Sequence, residues 1–253
     1  MKIISWNVNG IRSVYKKGFI DWMEKTNADI ICLQEIKAQD SEIQKLFSSS
    51  GLFRHSPYYL YSNFAQKKGY SGVAIFTKEK PTTIDNKLGL ERFDQEGRLL
   101  KLSFKNFILY NLYIPHGGRE KENMVYKLQT YDRLFALLSG KQRTILVGDF
   151  NVAHTALDLA RPKGNQNNTM FTPEEREKLD TLTQKGFVDT FRLKHKEGEN
   201  YTWWPYAVDA RERNIGWRID YIFVSTDMRS YITDAYILKD TKGSDHCPVG
   251  ITI

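Results

Sequence analysis

The chain has 253 residues, 41% of them apolar and 13% aromatic, and carries a formal net charge of +7. That length allows one large domain or two small ones around a substantial core, and the composition excludes a disordered or low-complexity chain. No apolar run approaches the roughly 20 residues of a membrane span, and the opening Met1-Lys2-Ile3-Ile4-Ser5-Trp6-Asn7 lacks the apolar stretch of a signal peptide, so a cytoplasmic location is expected.

The isoelectric point near 9.2 favours polyanionic partners such as nucleic acid or anionic lipid. Lysines and arginines are nevertheless dispersed, without a block of like charge. Two cysteines, Cys32 and Cys247, each fall in a predicted strand. With so few and no CxxC, they read as buried, reduced thiols rather than disulfide partners or zinc ligands.

In chain order, Lys2–Asn7 reads as a strand that turns polar at Trp6-Asn7-Val8-Asn9-Gly10. A helix is predicted around Lys16–Lys25, with Phe19, Ile20 and Met23 on one face. A buried strand, Ala28–Leu33, runs into Gln34-Glu35-Ile36-Lys37, where Glu35 alone would pass as an exposed loop charge. Tyr58–Tyr61 and Ser71–Thr77 read as strands around a loop at Asn63–Tyr70. Arg98–Phe104 and Phe107–Ile114 form a predicted hairpin, which ends at Tyr113-Ile114-Pro115-His116-Gly117-Gly118-Arg119. The clearest helix is Glu120–Leu138, patterned by Met124, Leu128, Tyr131, Phe135 and Leu138, with Gly140 as its stop.

Next comes Thr144-Ile145-Leu146-Val147-Gly148-Asp149-Phe150-Asn151, a buried strand ending in polar residues, with Gly148 allowing a close backbone approach. If the strand continues to Asn151, Asp149 and Asn151 point to the same face and need a partner such as a substrate or metal. Alternatively they cap the following turn. A long irregular segment, His154–Met170, precedes a capping box at Thr172-Pro173-Glu174-Glu175 and a helix with Leu179 and Leu182 inward, stopped by Gly186. Thr202-Trp203-Trp204 and a charged loop, Asp209–Arg213, lead to a strand at Ile219–Val224. Asp220 within its apolar run requires a partner, either a structural Arg or His or a catalytic one. Ser244-Asp245-His246 opens the last strand. No internal repeat or linker is evident, and helices covering mainly antiparallel sheets make an α+β arrangement. No GxGxxG or Walker loop is present.

Asn7, Asn9, Glu35, Tyr113, Asp149, Asn151, Asp220, Asp245 and His246 thus stand at or near strand ends in six segments. On one rim, such a set suits phosphate-ester hydrolysis. Its oxygens suit Mg²⁺ or Mn²⁺, His246 with an Asp can move a proton or bind a phosphate oxygen, and Asn and Tyr can hydrogen-bond charge on phosphorus.

The segments WNVNGIR, LQEIK, YIPHGGR, GDFNVAH, DLARPKGN with FTPEER, GWRIDY and GSDHCP, spread over essentially the whole chain, resemble the exonuclease III family of DNA-repair nucleases. GDFN and SDH are shared with a wider superfamily that includes DNase I and lipid or inositol phosphatases; GWRIDY with PKGN resembles the apurinic/apyrimidinic (AP) endonuclease branch. The resemblance implies a DNase I-like, four-layer α/β sandwich of two mixed sheets with helices outside. It implies Glu35 as principal Mg²⁺ ligand with Asn7 close by and Asp245 in the metal region, where Asp149, Asn151 and His246 also stand. It further implies Asp149 to orient or deprotonate water, Asn151 and Tyr113 to hold the phosphate, and His246, oriented by Asp220, to contact that phosphate or act as base. Trp203, Trp217 and Ile219 would wall a pocket for an extruded abasic sugar, although the tryptophans read equally as core aromatics. Asn165 and Asn168 would touch DNA phosphates, and Arg119 would enter the duplex.

Three positions depart from the family pattern: Asn9 where some relatives have Asp, His116 where Asn or Gln is common, and Thr169-Met170 where a small residue and Gly are usual. The expected function is Mg²⁺-dependent cleavage 5′ to abasic sites in double-stranded DNA, with 3′→5′ exonuclease and 3′-end cleaning activity, by a monomer. A phosphoesterase of the same fold acting on lipids or nucleotides is the alternative, and a DNA-binding module without catalysis a third.

Overall fold

The computed structural model describes residues 1–49, 58–138, 140, 142–207 and 209–253. Among them, two six-stranded sheets form. The first contains β1 (Lys2–Asn7), β2 (Ile30–Gln34), β3 (Tyr59–Asn63), β4 (Val73–Thr77), β11 (Asp234–Ile237) and β12 (Val249–Thr252), in the order β11-β12-β1-β2-β4-β3. The second contains β5 (Thr83–Asp85), β6 (Leu99–Ser103), β7 (Ile108–Tyr113), β8 (Thr144–Asp149), β9 (Phe187–Asp189) and β10 (Asp220–Ser225), in the order β5-β6-β7-β8-β10-β9. β1–β2 and β7–β8 are parallel; the other pairs are antiparallel. Each sheet therefore has a parallel pair at its third and fourth places, a repeat of topology with no evident counterpart in the sequence.

Strand alternation separates the layers. Ile3, Ile30, Cys32, Val73 and Ile75 meet Leu100, Leu102, Leu109, Ile145, Val147, Ile222 and Val224 between the sheets. The opposite faces take helices. Ile4, Trp6, Ile31 and Phe76 pack on Val14, Phe19, Met23 and Phe47, while Tyr110, Leu112, Leu146 and Phe223 pack on Tyr131, Leu134, Leu138, Leu179 and Leu182. The result is helices, sheet, sheet and helices, the sandwich that the motifs implied.

The inner-face rows position the site. With period two, Ile3-Ser5-Asn7, Ile30-Cys32-Gln34, Leu109-Asn111-Tyr113 and Ile145-Val147-Asp149 each turn from apolar to polar toward one end of the sandwich. Antiparallel β10 runs the other way, so Asp220 sits at that same end, directly opposite Asp149. Below the rim, Gln34 Nε2 donates to Asn111 Oδ1 (2.7 Å) and Ser5 Oγ (3.0 Å), closing a buried polar layer under the cleft.

Several expected elements shift. The helix expected over 16–25 is Phe19–Thr26, starting only after left-handed Gly18 (φ 91°), and a separate, unexpected helix, Ile11–Lys16, precedes it; Ile20 is only half-buried. The clearest helix starts at Met124, and its buried face carries Lys127, Thr130, Tyr131, Leu134, Phe135 and Leu138. β8 ends at Asp149, since Asn151 is left-handed (φ 52°). Cys247 is buried but precedes β12. The hairpin and the Thr172–Glu175 capping box are present as expected. A Cβ on Gly148 would lie 1.9 Å from the Leu112 carbonyl oxygen, so only glycine allows β7 and β8 to pair there.

Candidate active site

Asp149 does two jobs. Its Oδ1 accepts the Asn151 backbone N–H (2.8 Å), which is the turn cap the sequence left open, while Oδ2 accepts from Asn7 Nδ2 (2.9 Å) and faces His246 Nε2 at 3.9 Å. Asn151 thus meets Asp149 through a turn, not through a shared strand face. Its own Nδ2 donates to the Ile114 carbonyl (2.9 Å). His246 Nδ1 lies 2.8 Å from Asp220 Oδ2, which also accepts Thr202 Oγ1–H (2.6 Å). Thr202 Oγ1 in turn accepts the N–H groups of Ile219 and Asp220, each at 3.1 Å. Thr202 locks the dyad, and sequence reading missed it: a Thr beside two tryptophans carries no signal of its own.

A more open cluster borders this buried one. Glu35, left-handed at φ 56°, pairs with Lys37 Nζ at 2.9 Å, and Lys37 also donates to Asn9 Oδ1 (2.5 Å). Asn9 Nδ2 donates to Asp245 Oδ1 (2.9 Å), and Trp203 Nε1 donates to Asp245 Oδ2 (3.0 Å). Asn9, Glu35, Lys37 and Asn151 are all non-glycine residues at positive φ, a concentration of backbone strain typical of functional sites. Lys37 was passed over because a loop lysine is ordinary.

Electrostatics assigns protonation. Burial and the Asp220 carboxylate raise Asp149 to about 7, against the lowering by His246 and by hydrogen bonds from Asn7 and Asn151. Burial alone would lower His246, but Asp220, Asp149 and Asp245 raise it to about 10. Burial raises Asp245 too, yet His246, Asn9 and Trp203 outweigh it and hold this carboxyl below its usual range. Burial, then Glu35, push the Tyr113 phenol well above its ordinary value, so it stays a hydrogen-bond donor.

Asp149, Asp220 and His246 bring three ligand-capable atoms within 4.8 Å of one another. Asp220 Oδ2 is already committed to His246 and Thr202, so this trio is better built to hold a proton than to enclose a metal. Around the rim, Glu35 pairs with Lys37, Asp149 and Asp220 lie against His246, and Lys127, itself paired with Glu175, acts on Asp149 from behind, so among the described residues four carboxylates, Asp245 included, meet fewer free cations. That negative surplus, in hard oxygen donors with Asn7 beside them, fits a divalent cation on the Glu35 side.

Beside the rim, a cavity of about 710 Å³ is lined by His116, Arg119, Asn168, Met170, Trp203 and Trp217, among others. Trp203 bridges the chain at His246 and at Trp217, which ties this cavity to the dyad. Trp217 is also packed with Ala153, Leu159, Met170, Phe171 and Ile219, so both readings of it hold. Ile219 is buried behind the wall rather than on it. Asn168 donates to Asn165 Oδ1 (2.8 Å), and Asn165 Nδ2 is tied to the Arg161 carbonyl (2.9 Å), which leaves Asn165 off the cavity lining.

Fold and site together define a phosphodiester hydrolase of the sandwich class, and comparison with known proteins narrows this. The sequence pattern of the endonuclease/exonuclease/phosphatase family matches residues 4–246. The exodeoxyribonuclease of Bacillus subtilis (strain 168) is 44% identical over 100% of this chain and 99% of its own. DNA repair nuclease APEX1 of Danio rerio is 39% identical over 98% of this chain and 81% of its own. The solved AP endonuclease from Archaeoglobus fulgidus superposes with a TM-score of 0.88 at 29% identity, covering 100% of this chain and 99% of that one. The chain belongs to the endonuclease/exonuclease/phosphatase family, in the exonuclease III branch that its motifs resemble.

Proposed function

We propose that the protein is a Mg²⁺-dependent DNA-repair nuclease, folded as one domain over residues 1–253. It hydrolyses the phosphodiester 5′ to abasic sites in double-stranded DNA and has 3′→5′ exonuclease and 3′-end phosphodiesterase or phosphatase activity, as a monomer in the cytoplasm. The observation that carries this reading is the junction of a proton-handling cluster, Asp149, Asp220 and His246, with a tryptophan-walled cavity through Trp203. Relatives over the full chain named exodeoxyribonuclease and DNA repair nuclease support it. Extruding a nucleotide costs least where the base is missing, so the cavity favours abasic sites.

Asn151 and the Tyr113 phenol hold the phosphate by hydrogen bonds. Asp149, raised to about 7, is matched to taking a proton from water at neutral pH. That water attacks phosphorus in line as its proton passes to Asp149, the bond to the 3′ oxygen breaks, and the leaving oxygen takes a proton from solvent, giving a 3′ hydroxyl and a 5′ phosphate. The His246 imidazolium, oriented by Asp220, binds a non-bridging oxygen as charge builds. Glu35, with Asn7 and Asp245 near it, would hold the divalent cation, which when bound supplies charge stabilisation to the phosphate and leaving oxygen.

The test is a labelled duplex with one abasic-site analogue beside a matched intact duplex, each with Mg²⁺ and with EDTA. A cut immediately 5′ to the lesion, silenced by EDTA, is expected, and 3′ shortening of the intact duplex grades the exonuclease activity. No cut on either would move the assignment to a lipid or nucleotide phosphoesterase. Duplex affinity should also fall steeply with salt; a flat response would contradict a phosphate-tracking surface.

A further inference from the structure

Lys127 is a charged residue on the buried stripe of the helix Met124–Leu138, with a fully buried side chain. An ammonium has three donors and no acceptor, and all three are used here. Nζ donates to the His116 carbonyl (3.1 Å), to the Asn151 carbonyl (2.6 Å) and to Glu175 Oε1 (2.5 Å). Glu175, equally buried, also accepts the N–H groups of Met170 and Thr172, each at 3.0 Å. The pair therefore reaches three separate loops: the turn after β7 that carries His116 and Arg119, the turn after β8 that carries Asn151, and the Asn168–Thr172 segment on the cavity wall. Asn151 and Met170 are both held at positive φ, 52° and 75°. At Asn151, the conformation is fixed at the amide nitrogen by Asp149, at the side chain by Ile114, and at the carbonyl by Lys127.

Replacing a buried ion pair with apolar groups is often neutral or favourable for stability, so stability alone is a poor reason for burying this one. From this arrangement we infer that Lys127, braced by Glu175, is a positioning residue for phosphodiester hydrolysis: it holds the Asn151 turn and the His116 turn in the register that the scissile phosphate requires. This deepens the function proposed above and rests on it for the identity of the phosphate. Lys127 touches no reacting atom. Its effect passes through the Asn151 backbone, where a displacement of about 1 Å can cost roughly 100-fold in rate.

The test compares wild type with Lys127→Met, Lys127→Arg and the double variant Lys127→Met/Glu175→Gln. Each is assayed on the abasic duplex and on bis(4-nitrophenyl) phosphate, below its own measured melting temperature. The double variant strands no buried charge and stays folded if the single variant does not. The expected result is a kcat loss of about 100-fold for Lys127→Met and for the double variant on both substrates, with KM for the duplex changed by less than about threefold, and a smaller loss for Lys127→Arg. A folded double variant with kcat within about threefold of wild type would overturn the inference, as would arginine and methionine losing activity equally. If wild type cleaves bis(4-nitrophenyl) phosphate but not the abasic duplex, the substrate assignment fails while the positioning role is still read on the small diester.

Discussion

Two buried groups of charged side chains in this molecule invite comparison. In the first, Arg218 donates to Asp158 Oδ1 and Asp189 Oδ2, both at 2.7 Å, and Arg192 donates to the same Asp158 oxygen at 2.5 Å. Two carboxylates meet two guanidiniums, and the group ties the Thr155–Asp158 turn to β9 and to the segment entering β10. In the second, Asp149 and Asp220 share one imidazolium, with Glu35 and Asp245 close by. The first cluster neutralises itself; the second keeps a negative surplus. Burial of uncompensated charge works against folding; the raised Asp149 expresses that cost as a proton held more tightly, and the proposed function would meet the rest with a bound cation. The pKa directions agree. Burial would raise Asp158, but Arg218 and Arg192 hold it far below the carboxylate range, whereas burial and Asp220 raise Asp149.

The sharpest test of this contrast is to disable one member of each group. His246→Gln should lower kcat per folded molecule by about 10²–10⁴-fold, the range for a positioned proton-handling group, and should also lower the melting temperature at neutral pH, because the stabilising imidazolium is lost; kcat per folded molecule within about threefold of wild type would reverse the roles of the two clusters. Asp158→Ala should act on the fold alone. It leaves two guanidiniums with Asp189 as their remaining carboxylate and should cost about 3–5 kcal/mol of stability in urea titration, with kcat per folded molecule far less affected.

Acid and alkaline melts sharpen the comparison further. Asp158 has a depressed folded pKa, so its contribution is complete above the unfolded carboxylate value of about 4 and is lost as pH falls below it. His246 is raised to about 10, so its contribution is complete below the unfolded imidazole value and is lost as pH climbs through about 10. Asp149 acts against the fold, increasingly so from the unfolded carboxylate value up to about 7. In EDTA, Asp158→Asn should flatten the acid limb of the melting-temperature profile and His246→Gln the alkaline limb; exchanged assignments would contradict the electrostatics. The smallest effect belongs to an exposed pair. Arg12 and Glu42, 2.7 Å apart but 56% and 37% exposed, should change stability by about 1 kcal/mol or less when Arg12 is replaced by Ala.

How much of this was legible in the sequence depends on whether a residue's role is local. The apolar strands and the polar residues at their ends were readable, because a period of two and a polar interruption are local patterns. The Thr172 capping box was readable for the same reason. Which ends would meet was not a local matter: Asp149 and Asp220 face each other only because β8 and β10 pair antiparallel. The motif resemblance, rather than periodicity, brought them together beforehand. Thr202 and Lys127 escaped notice since their roles are set by partners far along the chain, 18 residues away at Asp220 and 48 at Glu175. The boundary at Gly18 falls inside the expected span because Phe19, Ile20 and Met23 all lie beyond it and carry no information on where the helix begins. At Asn151 the sequence leaves a continuing strand and a turn cap open, because both are compatible with an Asp and an Asn two residues apart, and the structure takes the turn.

The central claim is that the cluster left with surplus negative charge is the hydrolytic centre. The most direct measurement is single-turnover cleavage of a duplex carrying one abasic-site analogue, by wild type and by Asp149→Asn, with duplex affinity measured alongside by fluorescence anisotropy. The account predicts a rate loss of at least about 10³-fold with affinity essentially unchanged. Cleavage within about tenfold of wild type, or loss of binding in step with loss of cleavage, would contradict it.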